Sequence, residues 1–501
     1  MATPIPVNEA TFSVDDLVRI VDGQLLSPCA AHSNGGNSIA GVCTDSRNVK
    51  PGNLFVALSG ERFDGHEHLQ KAIDAGARAL IVSKDVCVRG DVAVLRVSDT
   101  LKALGMLGRE HRRRWAHDAN QAKRSAKVVA VTGSAGKTTT CRAIRAVLGA
   151  INENSEAGGR VHASVGNLNN AIGIPMVLFG LGPQHEAAVI EIGTNSQGEI
   201  AYGASLAEPD VAVFTLVACA HTLGLGSIEA VAEEKGALLA SLGSNGVCVA
   251  NADDALVMSQ VARSRGARVL TYGYAQEADV RVVECTQRGC EGQDLVIAVR
   301  DGDRERVMRV RVPLLGAAGV YAAVASLAAA FGVYGPAMDW DGAIRGLGAM
   351  RAESGRLSPR VLSCGAVLID DAYNANPASM RDSIDVAAKL AVEREMRLML
   401  VLGEMRELGA HSEREHRKVG QQVGQVCPSV LVSVGSDARF IAEEASARGV
   451  VAVHKEDSES AVEPVLDAVG SGDVILVKGS RGIALEHVVR ALEVWGEERA
   501  R

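Results

Sequence analysis

The residues best equipped for chemistry lie in Lys127 to Thr140, KVVAVTGSAGKTTT. An apolar, β-branched run ends in a glycine loop and passes directly into a stretch carrying Ile144, Val147 and Leu148 at helical spacing. Such a helix start offers unpaired N–H groups and a positive dipole end, and glycine lets the backbone approach an anion closely. Gly133, Ser134, Ala135, Gly136, Lys137, Thr138 and Thr139 therefore read as a phosphate cradle. Lys137 brings a mobile positive charge to the terminal phosphates, and the Thr138 hydroxyl suits Mg²⁺. A nucleoside triphosphate is the expected guest. Val131 stands where the usual first glycine of such loops falls, so the working pattern is the shorter TGSAGKTT.

Further along, Ala187 to Ile190 forms a short apolar strand ending at Glu191, followed by Gly193 and Asn195. A carboxylate at the tip of a strand parallel to the phosphate-loop strand is where a Mg²⁺ ligand belongs. Upstream, Gly166 to Pro175 (GNLNNAIGIP) crowds three asparagines, residues that also suit turns and caps. A strand over Val211 to Val217 leads to His221, and a helix starts near Ser227. Its apolar residues fall at Ile228, Val231, Leu238 and Leu242, and the missing member of the stripe is Lys235. Two readings of Lys235 stand. It is either a snorkelling lysine at the edge of the stripe, or a buried amine whose lowered pKa lets it take up CO₂ as a carbamate.

The elements that must hold these groups are those of an α/β protein. With 501 residues, 47% of them hydrophobic, the chain exceeds one ordinary core, and about three domains are expected: 1–98, 99–352 and 353–501. The first carries strands at Leu54 to Leu58 and Leu80 to Val82. Asp99 to Gln121 reads as a charged helix leading into the phosphate-loop domain. After β-like runs to Val312, with a hairpin turn at Asp301-Gly302, comes an alanine-rich buried helix near Ala317 to Val333. The last domain alternates strands and helices as a Rossmann-like layer. Its strand ends bear Asp370 to Pro377 (DDAYNANP), Gly403 to Gly409 (GEMRELG) and Lys478 to Arg481 (KGSR), and ligands in open α/β sheets sit at such ends.

A formal charge of -8 argues against nucleic-acid binding, and Arg112-Arg113-Arg114 reads as a solvated helix end. Ten scattered cysteines without a CxxC pair speak against metal or disulfide frameworks. Neither a signal peptide nor a membrane span is expected, which predicts a cytoplasmic enzyme.

Together these segments resemble the Mur ligase family over nearly the whole chain. TGSAGKTT, GNLNNAIGIP, AVIEIGTNSQGEI, AHTLGLGS and EEKGALL carry the likeness, and DDAYNANPASM, LGEMRELG and LVKGSR look like its MurF branch. The resemblance implies three domains that bind a UDP-sugar, ATP and an incoming amino compound in turn, with a P-loop ATPase centre. It implies ATP- and Mg²⁺-dependent addition of D-alanyl-D-alanine to UDP-N-acetylmuramoyl-tripeptide by a monomer. Thr138 and Glu191 would bind one Mg²⁺, and His221 with a carbamylated Lys235 would serve a second. Catalysis would fall to Lys137, Glu191, His221 and Lys235. Asn170, Arg356 and Asp371 would join the nucleotide site. Ser46, Arg47, Arg62 and Phe63 would contact the UDP-sugar, while Asn195, Asn374, Asn376 and Lys478 would meet the other substrates.

Three positions depart from the family pattern. Gly316 to Ala322 reads GAAGVYA where GxHNxxN is usual, Leu223 replaces a glutamate after the histidine, and Ala237 replaces one after Lys-Gly. If two neutral hydrogen bonds to the nucleotide go unreplaced, at about 0.5 to 1.5 kcal/mol each, ATP use weakens roughly ten- to hundredfold. A catalytically weak binding protein and a same-fold folylpolyglutamate synthase are the competing expectations.

Overall fold

The computed structural model describes residues 6–27, 38–60, 63–151, 160–218, 225–302 and 304–500. In the first domain five strands lie in the order Gln24–Ser27, Ala93–Arg96, Ala79–Val82, Leu54–Val56 and Val42–Cys43, parallel except for the first pair. Val14–Val21 packs beside them, held at its start by a capping box between Ser13 and Asp16.

The helix Thr100–Gln121 joins this domain to the next. Asp99 caps it, accepting from Leu101 N at 2.8 Å and Lys102 N at 3.0 Å. Its Ala103, Leu104 and Leu107 share one apolar cluster with Phe12, Leu17, Met176 and Phe179, so the first two domains have a continuous core. The arginine triplet is not a solvated end. It lies inside the helix, where Arg112 donates to Ala207 O at 3.0 Å and Glu208 O at 2.6 Å, Arg113 pairs with Glu208, and Arg114 reaches Asp16 at 2.9 Å. The partners stand almost a hundred residues away in sequence, out of reach of a local reading.

The central sheet has nine strands, ordered Val161–Ala163, Ala187–Glu191, Lys127–Thr132, Val211–Phe214, Val247–Asn251, Arg268–Gly273, Val280–Gln287, Gln293–Asp301 and Arg304–Val312. The first seven run parallel and the last two pairings are antiparallel. Alternate residues pack on opposite faces. Val129, Val131, Val189 and Val213 join the helices Lys137–Ala150 and Gly316–Tyr334, while Val128, Ala130, Ile190 and Phe214 join the other side. Both faces are covered, which is why these strands read as apolar runs. Asp301 pairs with Arg304, so the hairpin turn falls one residue later than expected, with Gly302 at φ +60°. The window Gly316–Ala337 is long and apolar enough to cross a membrane, yet 72% of it is buried inside the fold.

The last domain has six strands in the order Ser358–Val361, Val367–Asp371, Asp473–Lys478, Arg397–Gly403, Val430–Val434 and Ala452–Lys455, all parallel but the first pair. Helices cover both faces. The expected three-domain α/β architecture is therefore observed, with the carboxyl ends of the last sheet turned to the phosphate loop across a cleft.

Candidate active site

Two glycines shape the phosphate loop for different reasons. A side chain at Gly133 (φ +152°) would collide with the Thr215 hydroxyl, whereas Gly136 (φ +78°) has free space around it and is required by its left-handed backbone, one residue before the helix Lys137–Ala150. Thr215 donates to Ala135 O at 2.7 Å and Ser134 N to Leu216 O at 2.8 Å, fixing the loop against the next strand. Lys137 donates to Gly133 O at 2.8 Å, and burial holds its pKa below the ordinary lysine value, with Glu191 acting in opposition.

Beside the loop, parallel pairing sets Val131 opposite Glu191. The Thr138 hydroxyl donates to Glu191 Oε2 at 2.7 Å, and Asn169 donates to Oε1 at 2.8 Å. A hydroxyl and a carboxylate in contact at a phosphate loop are hard oxygen donors of the type Mg²⁺ takes. Asn170, the neighbouring residue singled out from sequence, instead accepts from Ile172 N and Gly173 N and starts the helix Gly173–Leu178, although it still lines the cavity.

Lys235 is fully buried on Ile228–Ala240, and among the described residues its Nζ has no hydrogen-bond partner. Burial first, and then the charge of Lys137, lower its pKa to about 7. The snorkelling alternative is thereby excluded. The adjacent Glu234, which the apolar stripe gave no reason to notice, accepts from Gly198 N at 2.8 Å and Ile200 N at 2.9 Å and so caps Glu199–Ala207. His221, Leu223 and Arg62 lie outside the described residues.

A cavity of about 610 Å³ gathers most of the residues expected from sequence. Ser134 to Thr139, Asn170, Glu191 and Asn195 come from the central domain, and Arg356, Asp371, Asn374, Asn376 and Lys478 from the last. Several of these also hold the cavity's own walls. Lys478, 2% exposed, donates to Asp371 at 2.6 Å and Asn374 O at 3.0 Å. Asp371 also accepts from Ser383 and Leu357 N. Asn376 caps Pro377–Glu393, and Arg356 stacks 4.1 Å from the Tyr373 ring centre. At the far end, Leu314, Leu315, Ala317, Ala318, Tyr272 and Tyr321 give an apolar and aromatic wall where the family's polar motif would stand. Asp382 of the last domain accepts from Ala317 N at 3.1 Å, closing the start of Gly316–Tyr334 across the domain boundary.

Five of the expected residues that the structure describes do not line this cavity: Gly133 at the start of the phosphate loop, the buried Lys235, and three residues of the first domain. Ser46 is buried in a loop of the first domain, Arg47 is exposed and bound to Asp45 at 2.6 Å, and Phe63 is half exposed beside Asp64. Asp64 is itself tied to Lys84 at 2.7 Å and His66 at 2.6 Å.

Fold and cavity together define a phosphate-loop α/β protein whose nucleotide pocket is roofed by a second, Rossmann-like domain. Three family profiles match: the Mur ligase family catalytic domain over residues 38–112, the Mur ligase middle domain over 131–330, and the Mur ligase glutamate ligase domain over 355–481. The UDP-N-acetylmuramoyl-tripeptide--D-alanyl-D-alanine ligase of Escherichia coli is 37% identical over 96% of this chain and 98% of its own. Among solved structures, MurF from Acinetobacter baumannii superposes with a TM-score of 0.84 at 26% identity, covering 97% of this chain and 100% of that one. MurF ligase from Thermotoga maritima in complex with ADP gives 0.75 at 25% identity, over 92% and 98%. The chain belongs to the Mur ligase family. A folylpolyglutamate synthase/dihydrofolate synthase from Yersinia pestis shares the fold alone, at TM-score 0.54 and 20% identity.

Proposed function

We infer that this chain is the ATP-dependent ligase that joins D-alanyl-D-alanine to UDP-N-acetylmuramoyl-tripeptide, completing the pentapeptide precursor of peptidoglycan. The observation that carries the reading is the single cavity uniting the phosphate loop with the DDAYNANP and KGSR strand ends, in a chain so similar end to end to a ligase of that name. The substrates are those of the cytoplasm, and the chain is assigned there.

In the first step the carboxylate ending the tripeptide attacks the γ-phosphorus of ATP, the bond to the β–γ bridging oxygen breaks, and ADP leaves as the acyl phosphate forms. In the second, the amine of D-alanyl-D-alanine displaces phosphate through a tetrahedral intermediate. The first step brings like charges together. The phosphate-loop N–H groups and Lys137 lower that cost by holding the phosphoryl oxygens in a pre-organised positive site. Thr138 and Glu191 would hold one Mg²⁺, and His221 with a carbamylated Lys235 a second. Bound there, the ions supply further neutralisation of the transferring group. The contact between Thr138 and Glu191, and a Lys235 Nζ without a partner among the described residues, support these assignments. Asp371 positions Lys478 at the roof of the cavity, where the ammonium faces the meeting point of the substrates. For the UDP-sugar, Ser46, Arg47, Arg62 and Phe63 remain the proposed contacts in the first domain.

Phosphate release measured with ATP, Mg²⁺, UDP-N-acetylmuramoyl-tripeptide and D-alanyl-D-alanine, leaving out each in turn, tests the assignment. Release that requires all four, with a pentapeptide product by mass, is expected. Silence at high ATP with precursor still bound would favour a binding protein.

A further inference from the structure

The nucleotide cavity has one wall unlike the others. Leu314, Leu315, Ala317, Ala318, Tyr272 and Tyr321 line its far end on the central domain, whereas the phosphate loop and the roof with Arg356, Asp371 and Lys478 are charged. A triphosphate must face Lys137 and Thr138. The base, the flat and least polar part of a nucleotide, therefore falls to the apolar wall.

Bases are told apart by hydrogen bonds to their edges, and the polar side chains described around this wall are already engaged. The Tyr321 hydroxyl donates to Asp253 at 2.8 Å and the Tyr272 hydroxyl to Phe214 O at 3.1 Å. Gln293, 1% exposed, donates to Leu314 O at 3.0 Å and Gly316 O at 2.9 Å, which occupies those carbonyls as well. Asp382 is turned to the start of Gly316–Tyr334, where it accepts from Ala317 N at 3.1 Å. Asn170, also on the cavity, is the telling case. An asparagine reads adenine by two bonds, its amide donating to N7 and its oxygen accepting from the 6-amino group. Here Oδ1 already accepts from Ile172 N at 3.2 Å and Gly173 N at 2.8 Å, so both lone pairs are taken and only the amide N–H groups remain to give. Every purine carries N7. The 6-amino group, which marks adenine, is left without that acceptor.

What the wall offers instead is a ring. Tyr321 is held by its bond to Asp253 and by Tyr274, edge-on with 5.9 Å between ring centres, so it gives the cavity a stiff aromatic surface. Stacking on such a surface tolerates a change of base, since every base has a π-face. We propose that Tyr321 is the platform for the base and that Asn170 reads only N7, so the chain uses purine nucleoside triphosphates with little regard for the 6-substituent. The assignment rests on the ligase reading above.

Adenine and hypoxanthine share ring shape and N7 but differ at the 6-position, which makes ITP the probe. Steady-state kinetics of the full chain should give kcat/KM for ATP and ITP within about tenfold of each other, where a site that hydrogen-bonds the 6-amino group would separate them by about 10⁴–10⁵-fold. Tyr321→Ala should raise KM for both nucleotides together, by about five- to hundredfold. Asn170→Ser keeps a capping side chain and should weaken both by one common factor. A preference for ATP of about a hundredfold or more in the native protein would overturn the assignment and point to Asp382 as acceptor for the 6-amino group. An unchanged KM in Tyr321→Ala, or a loss confined to ATP in Asn170→Ser, would overturn it too. Calorimetric titration with ADP and IDP makes the same comparison without turnover. Affinities within about tenfold, in a protein that forms no pentapeptide with either triphosphate, would uphold the base assignment and overturn the ligase reading alone.

Discussion

Two lysines are buried to nearly the same degree and live in opposite circumstances. Lys478, at a strand end of the last domain, sits 2.6 Å from Asp371 and also donates to Asn374 O. Lys235, on a helix of the central domain, has an Nζ with no partner among the described residues and a pKa lowered to about 7, by burial foremost. A buried ammonium is costly unless paired, so the first lysine brings its counter-charge with it in the fold. The second is tolerated because the neutral amine is within reach, and that same neutrality is what carbamate formation needs. Burial alone says little about such a group; the partner list decides what it is for.

The sharpest way to break this comparison is to make one substitution at both sites. Lys478→Met strands a buried carboxylate and is expected to cost about 3–5 kcal/mol in denaturant-induced unfolding, whereas Lys235→Met should leave stability unchanged or raise it. Equal losses at both sites would show that Lys235 is paired in the folded protein. Activity should separate them the other way. If the Lys235 site assists phosphoryl transfer, Lys235→Met lowers kcat by about 10²–10³-fold with the fold intact by circular dichroism.

The pH dependence gives a subtler distinction. Because the folded pKa of Lys235 is about 7 against an ordinary 10.5, the unfolded chain holds a proton between those values that the folded chain has released. Stability gained from this group therefore rises with pH across that window and is lowest below pH 7. Comparing unfolding midpoints of native protein and Lys235→Met at pH 6.5 and 9 should show a steeper rise in the native protein, the difference between the two slopes being the part that Lys235 contributes. The smallest effect concerns the domain boundary. Asp382→Ala removes the side-chain cap on Ala317 N and is expected to cost about 1 kcal/mol, read as a several-fold rise in KM for ATP. An unchanged KM would disconnect that cap from nucleotide binding.

What could be read from the chain without its structure divides along the same line. The phosphate loop, Glu191 and Lys235 were legible because each signal is local: a strand running into a glycine loop, a carboxylate at a strand tip, a gap in an apolar stripe. The partners of these groups were not. Asp371 meets Lys478, and Arg112 meets Glu208, only because distant strands and helices come together. The contact of Asn169 with Glu191 was equally hidden, since adjacent asparagines cannot be told apart without the loop's path. Short edge strands such as Val161–Ala163 and Ala452–Lys455 also escaped, being too brief to show a period. Ser46, Arg47 and Phe63 came from resemblance, and their loops lie apart from the cavity.

The core shared through Thr100–Gln121 has a bearing on how the chain is made. Leu104 and Leu107 are synthesised early, but their partners Met176 and Phe179 leave the ribosome roughly seventy residues later. At about 5–20 residues per second the first domain waits on the order of 4–14 s with part of its interior unfilled. The first domain thus matures only with the arrival of the second.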